Sequence, residues 1–226
     1  DYLLASRSQL DLLDGKFKNT LSFEYSHSLR ENEAALIKTE VGKGARLNID
    51  YFGHYQIDDR FGFSVGLQHE ETKATSVSSQ KFNIDSIVSE ISLQAIDHLT
   101  ITAGGRYDHH NQFGGTITPR ITAAYYMEDT GTKIFSNWAE GFKAPSIFQL
   151  TYICSFCGLT APNITLKPEE TTGWEIGFEQ DIMGKNIIIG ATYFKQNIKN
   201  LIDFSFTAGY DNIARAKTNG LELFID

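Results

Sequence analysis

The chain of 226 residues is acidic, with 28 Asp and Glu against 20 Lys and Arg for a formal net charge of -8, and it is 41% hydrophobic with sixteen Phe and ten Tyr beside only four Pro. No run approaches the roughly 20 apolar residues of a membrane-crossing helix, and the acidity excludes the basic patch that nucleic-acid binding needs. A barrel of strands remains open, because alternation of apolar and polar residues halves the apparent hydrophobicity of each segment.

The sequence starts at Asp1-Tyr2-Leu3-Leu4 without a basic n-region or an apolar h-region. Any export leader is therefore expected to have been lost by processing or truncation. Strands are predicted over 3–13 and 16–29 around a tight join at Asp14-Gly15. In 43–57, Ala45, Leu47, Ile49, Tyr51 and Tyr55 alternate with Arg46, Asn48, Asp50 and His54. Across Asp58-Asp59 a strand is expected over 60–72, whose 61–72 gives the clearest period of two: Phe61, Phe63, Val65, Leu67 and His69 oppose Gly62, Ser64, Gly66, Gln68 and Glu70. Segments 84–96 and 99–109 flank Asp97-His98, and 115–128 and 132–141 flank Asp129-Thr130-Gly131. The last three strands are expected at 170–182, 186–200 and 212–226, with Met183-Gly184-Lys185 between the first two.

These eleven segments mostly reach the roughly 9–11 residues that a tilted membrane strand requires. Their joins alternate between tight and long, the long ones near 30–43, 73–83, 110–115, 142–169 and 201–212. Brief turns on one side and long loops on the other mark an all-β, antiparallel transmembrane β-barrel. The polar stripe, which includes Lys18, Arg46, Glu70, Arg106, Arg120, Glu175 and Glu222, would face a wet lumen and the apolar stripe would face lipid. An odd strand count leaves an edge unpaired in lipid, so the chain is expected to be part of a larger barrel.

One stretch has a specific look. Asn137-Trp138-Ala139-Glu140-Gly141-Phe142-Lys143-Ala144-Pro145-Ser146 ends a strand, and Leu166-Lys167-Pro168-Glu169 then leads into Glu175-Ile176-Gly177. Gly104-Gly105-Arg106-Tyr107-Asp108, Thr118-Pro119-Arg120, Ala191-Thr192-Tyr193-Phe194-Lys195 and Asn212-Ile213-Ala214-Arg215 accompany it. Together these resemble the barrel portion of TonB-dependent outer-membrane receptors, closely over 84–226 and loosely over 1–83, with vitamin B12-type receptors the nearest type and iron-siderophore receptors the near alternative. The sequence departs from the pattern where Ile164 and Thr165 separate Asn163 from Leu166, and it carries neither the plug domain with its energy-coupling box nor a terminal aromatic residue. The resemblance implies a portion of a 22-stranded barrel in a Gram-negative outer membrane. It also implies uptake of a large scarce nutrient, cobalamin or a ferric siderophore, driven by the TonB-ExbB-ExbD complex through a plug. A passive porin-like or adhesin-like barrel is the alternative.

Candidate site residues follow. The 142–169 join should leave the sheet and fold over the mouth, since Pro145 cannot pair and Pro168 forces extended backbone before it. Its apolar residues, among them Ile147, Phe148, Leu150, Tyr152, Ile153, Phe156 and Leu159, either line a ligand funnel or pack into a core of their own. Phe148, Tyr152 and Phe156 are the ligand candidates there, with Arg106 and Arg120 from the lumen stripe. His109 and His110 beside Asp108 either meet a metal chelate or stand solvated. Cys154 and Cys157 are expected to form a small disulfide; a zinc site would need two further ligands near by, and the sequence offers none. No Ser, His and acid set sits in a nucleophile elbow, so no enzyme activity and no resident metal are expected.

Overall fold

The computed structural model describes residues 1–34, 37–75, 79–153, 159, 161–182, 184 and 186–226, with 32–41 described by backbone alone. Eleven strands form one antiparallel sheet in which each pairs only with its neighbours in the chain. They are β1 (Tyr2–Leu12), β2 (Phe17–Ala34), β3 (Ile37–Gln56), β4 (Phe61–Thr75), β5 (Ser79–Ile96), β6 (Leu99–His110), β7 (Gly114–Met127), β8 (Thr132–Lys143), β9 (Glu169–Ile182), β10 (Ile187–Ser205) and β11 (Gly209–Ile225). One helix, α1 (Ile147–Thr151), lies between β8 and β9.

The tight joins occupy one rim. Asp58 makes its turn by accepting the Arg60 and Phe61 amides on Oδ1, both at 2.8 Å. At the Asp14-Gly15 join, Leu13, Asp14 and Gly15 all take positive φ, and Gly15 at 83° stands where a side chain would be strained.

The opposite rim differs from expectation. The joins near 30–43, 73–83 and 201–212 are not long loops, because pairing continues to Ala34↔Ile37, Thr75↔Ser79 and Ser205↔Gly209. Beyond the exposed apolar rows the outer face is met by water, so the hydrophobic period fades while the backbone ladder persists. Among the described residues it is the β8–β9 join that leaves the sheet, and it spans 144–168, since β8 runs on to Lys143 and β9 begins at Glu169.

Register places the stripes. Tyr51, Leu67, Ile87, Tyr107 and Ile117 lie side by side across β3–β7. Phe63, Ile91, Ala103, Ile121, Trp138 and Trp174 form a second row across β4–β9. Protein covers neither row: Leu67, Ile87, Ile117, Ile121 and Trp174 are all exposed. An apolar face this wide needs a non-aqueous neighbour. On β4–β6 it ends where His69, Asp85 and His109 come side by side, and His69 Nδ1 lies 2.6 Å from Asp85 Oδ1.

The other face is polar and cross-linked. Arg106 donates to Asp108 at 2.7 Å, to Ser86 at 2.7 Å and to Gln68 at 2.6 Å, and Gln68 passes the chain on to Asn48 at 3.1 Å. Toward β11 this face becomes glycine and phenylalanine: Phe135 pairs with Gly177, Phe194 with Gly220 and Phe224 with Gly190. Each ring lies over the bare backbone of its partner, which shields ladder hydrogen bonds from the lumen.

Candidate lid and ligand site at the loop rim

The described residues of the join, 144–153, 159 and 161–168, include a helix that packs on the polar face. Pro145 cannot extend the β8 ladder, and Ser146 then caps α1, its Oγ accepting the Gln149 amide at 3.2 Å while Gln149 Oε1 accepts the Ser146 amide at 2.9 Å. The helix presents Ile147 and Leu150 to Phe82 of β5, and Leu166 and Ile202 complete this cluster. These five are the buried hydrophobic residues among the described ones. Each such burial contributes about 1.5–3 kcal/mol, which offsets the ordering of a segment that has almost no secondary structure of its own.

The second half of the loop is held by amides. Asn212 donates to the Lys167 carbonyl at 3.0 Å and to that of Asn200 at 2.6 Å, and accepts the Lys167 amide at 2.8 Å. Asn163 donates to the Tyr210 carbonyl at 3.1 Å, and Asn200 to that of Pro168 at 3.3 Å. At the base, Glu169 accepts the Ile202 amide at 3.0 Å and faces Lys143 Nζ at 3.4 Å. The first half of the loop thus meets β5 and β6 and also leans on Ile202 of β10, while the second half is fastened by hydrogen bonds to the β10–β11 ribbon.

Two features result. A cleft of about 500 Å³ opens under the loop, lined by Glu70, Thr72, Phe82, Arg106, Asp108, His110 and the stretch Phe142–Ile147. Beside it stands a cluster of rings. Tyr152 lies 5.4 Å from Phe148, Phe204 and Tyr210, and Phe206 lies 5.4 Å from Phe204. Phe148 is 58% exposed and Phe206 71%, so this aromatic surface is open to solvent.

The candidates named from sequence separate. Arg106 and His110 share the cleft, and Phe148 and Tyr152 share the aromatic cluster. Arg120 stands exposed on the polar face of β7, in register with Gly104 and Ala139 and without a carboxylate partner among the described residues. His109 points to the outer face, while His110 points inward and is 1% exposed. Phe156, Cys154 and Cys157 lie outside the described residues. Of the loop apolars, Ile147 and Leu150 are core, and Phe148 is open surface. Sequence reasoning passed over Phe204, Phe206, Tyr210 and the asparagine clamps, although three rings within a polar join were a visible signal. Among the described residues no group of His, Cys, Asp and Glu is spaced to hold a metal ion.

The family model "TonB dependent receptor-like, beta-barrel" matches residues 3–226. The chain belongs to this family of Gram-negative outer-membrane barrels. The ferrienterobactin receptor of Escherichia coli K12 is 28% identical over 63% of this chain and 22% of its own length. The ferric enterobactin receptor of Pseudomonas aeruginosa is 26% identical over 64% of the chain and 23% of itself. Among solved structures, the Pseudomonas aeruginosa ferric enterobactin receptor in complex with enterobactin superposes with a TM-score of 0.80 at 18% identity, covering 98% of this chain and 40% of that one. The hemophore receptor of Serratia marcescens gives 0.76 at 15% identity, covering 99% and 45%. The chain spans less than a quarter of the curated relatives' length, and the structures at this identity establish the wall fold of such a barrel.

Proposed function

We propose that these residues are wall and lid of a receptor that imports a ferric siderophore across the outer membrane, the loop rim facing the outside. The observation that carries this reading is the exposed ring cluster that Phe148 and Tyr152 of the loop build on Phe204, Phe206 and Tyr210. Exposed rings suit a ligand that is itself aromatic, as the catechols of enterobactin are, and the curated relatives named above are receptors for its ferric complex. In such a complex the chelator encloses the iron, so the receptor needs no metal ligands. A tris-catecholate of Fe(III) is anionic, and Arg120 offers the lumen a free guanidinium. The relatives named give the cobalamin alternative no support.

The whole receptor would bind the chelate at the mouth and release it inward when the TonB-ExbB-ExbD complex pulls on a plug. The residues described would grip and enclose it, and the apolar stripe would sit in lipid. The test is binding of a ferric tris-catecholate to the full-length receptor by fluorescence quenching. Replacing Phe148 and Tyr152 together by Ala should weaken affinity at least about tenfold, at about 0.5–1.5 kcal/mol per aromatic pair lost. Undiminished affinity in that variant, and in one lacking 143–168, would remove the lid from the account.

A further inference from the structure

We propose that His110 is a pH-sensitive latch, holding helix α1 of the loop against β5 and β6 only while its imidazole is neutral. The ring ends β6 directly under the helix and is 1% exposed. Phe82 and Phe113 lie against it, both with ring centroids 4.9 Å away and both at steep angles, and Ile147 of α1 lines the same cleft. Its Nδ1 accepts the backbone amide of Gln112 at 3.1 Å, which fixes the neutral tautomer with the proton on Nε2. Nε2 is buried without a hydrogen-bond partner.

A second proton would change both features. It would occupy Nδ1, where the Gln112 N–H already points, and it would place a cation between two phenyl rings and the helix, where no solvent compensates it. Glu70 of β4 favours the charged ring, whereas burial and the neighbouring His109 oppose it, and burial dominates, holding the pKa below its ordinary value. Asp108 of β6 is engaged by Arg106 and Ser86. β5 contributes Phe82 and Ile84, its Lys81 and Asp85 facing the other side; β8 contributes Lys143 and the loop Ser146. The site stands one residue pair beyond the polar row at His69, Asp85 and His109, clear of the lipid belt.

The sign follows from this. With the docked pKa lowered, the undocked state binds more protons in the window between the two pKa values. Docking is therefore undiminished above the undocked value of about 6.5, weakens as pH falls through it, and levels off below the docked value. Mild acidity frees the first half of the lid.

The test is hydrogen exchange of the full-length receptor in detergent, without ligand, so that it does not depend on the cargo proposed above. After correction for intrinsic exchange, protection across α1, including the Leu150 amide bonded to Ser146 O, should be lost progressively as pH falls from about 7.5 to about 5. His110→Phe keeps a ring between Phe82 and Phe113 and should abolish the dependence. Should that variant fail to assemble, Glu70→Gln serves: losing a charge that favours the imidazolium, it should move the transition to lower pH. A wild type without the fall, an equal fall in His110→Phe, or an unmoved midpoint in Glu70→Gln each overturns the latch.

Discussion

His109 and His110 are chain neighbours that face opposite sides of one wall. His109 pairs across β5 with Asp85 on the outer face, whereas His110 pairs with Ile84 and is closed in by Phe82 and Phe113. The same substitution should therefore have unequal effects. His109→Ala removes an exposed ring and should leave exchange in the loop unchanged. His110→Ala opens a cavity under α1 and should cost about 2 kcal/mol of local stability, read as lost protection across Ile147–Thr151. Equal effects would contradict the facing assigned to β6.

Gly104 and Gly105 repeat the contrast on the backbone. A methyl group on Gly104 would lie 2.5 Å from the Ser89 carbonyl oxygen and 3.0 Å from Glu90 Cα, both backbone atoms that cannot swing aside. The nearest atoms to one on Gly105 are the Thr118 oxygen at 3.7 Å and Pro119 Cα at 3.8 Å, ordinary contact distances. Gly104→Ala should force β5 and β6 apart and cost about 1–3 kcal/mol, seen as a lower melting midpoint of the full-length protein in detergent. Gly105→Ala should melt as the wild type does.

The β4–β5 ribbon carries two lysines directly opposite each other, Lys73 and Lys81, an unfavourable pairing of like charges. Glu71 stands between them, with a carboxylate oxygen 2.6 Å from each ammonium, and its pKa is lowered to about 2, chiefly by hydrogen bonding to Lys73 and then to Lys81. For a carboxyl group depressed on folding, the contribution is complete above the unfolded value of about 4.3 and is lost as pH falls through the folded one. Exchange protection at the Thr72 and Phe82 amides should accordingly persist at pH about 4 and decline toward 2. Glu71→Gln should lower protection at neutral pH and abolish the decline, since the lysines then repel at every pH.

The wall was legible because two physical requirements leave marks in sequence. A strand between lipid and lumen must alternate, as 61–72 does, and a turn needs residues such as Asp58 or Gly15 that tolerate its geometry. Where a requirement lapses, the mark goes with it. Past the lipid belt, Lys73, Ser79 and Lys81 still pair in a ladder, but water accepts any side chain, so those stretches read as loops. Alternation alone would have divided His109 from His110, yet their adjacency suggested a shared role. The core of the loop was not readable, since Phe82 and Ile202 meet it from strands far apart in sequence.

The two fastenings of the loop should come undone separately. Asn212 makes three hydrogen bonds, two to the Lys167 backbone and one to the Asn200 carbonyl, and because the site is only partly buried water replaces some of what a truncation removes. At about 0.5–1.5 kcal/mol for each net bond, Asn212→Ala should cost about 2 kcal/mol locally and lower protection of the Lys167 amide at least about tenfold. Asn212→Asp should do no better: a carboxylate still accepts the Lys167 amide but sets negative charge against two carbonyl oxygens. In both variants α1 should keep its protection, since Phe82 of β5 and His110 of β6 hold it from the other side. If α1 loosens to the same degree as Lys167, the loop moves as one piece, and an opening confined to its first half is ruled out.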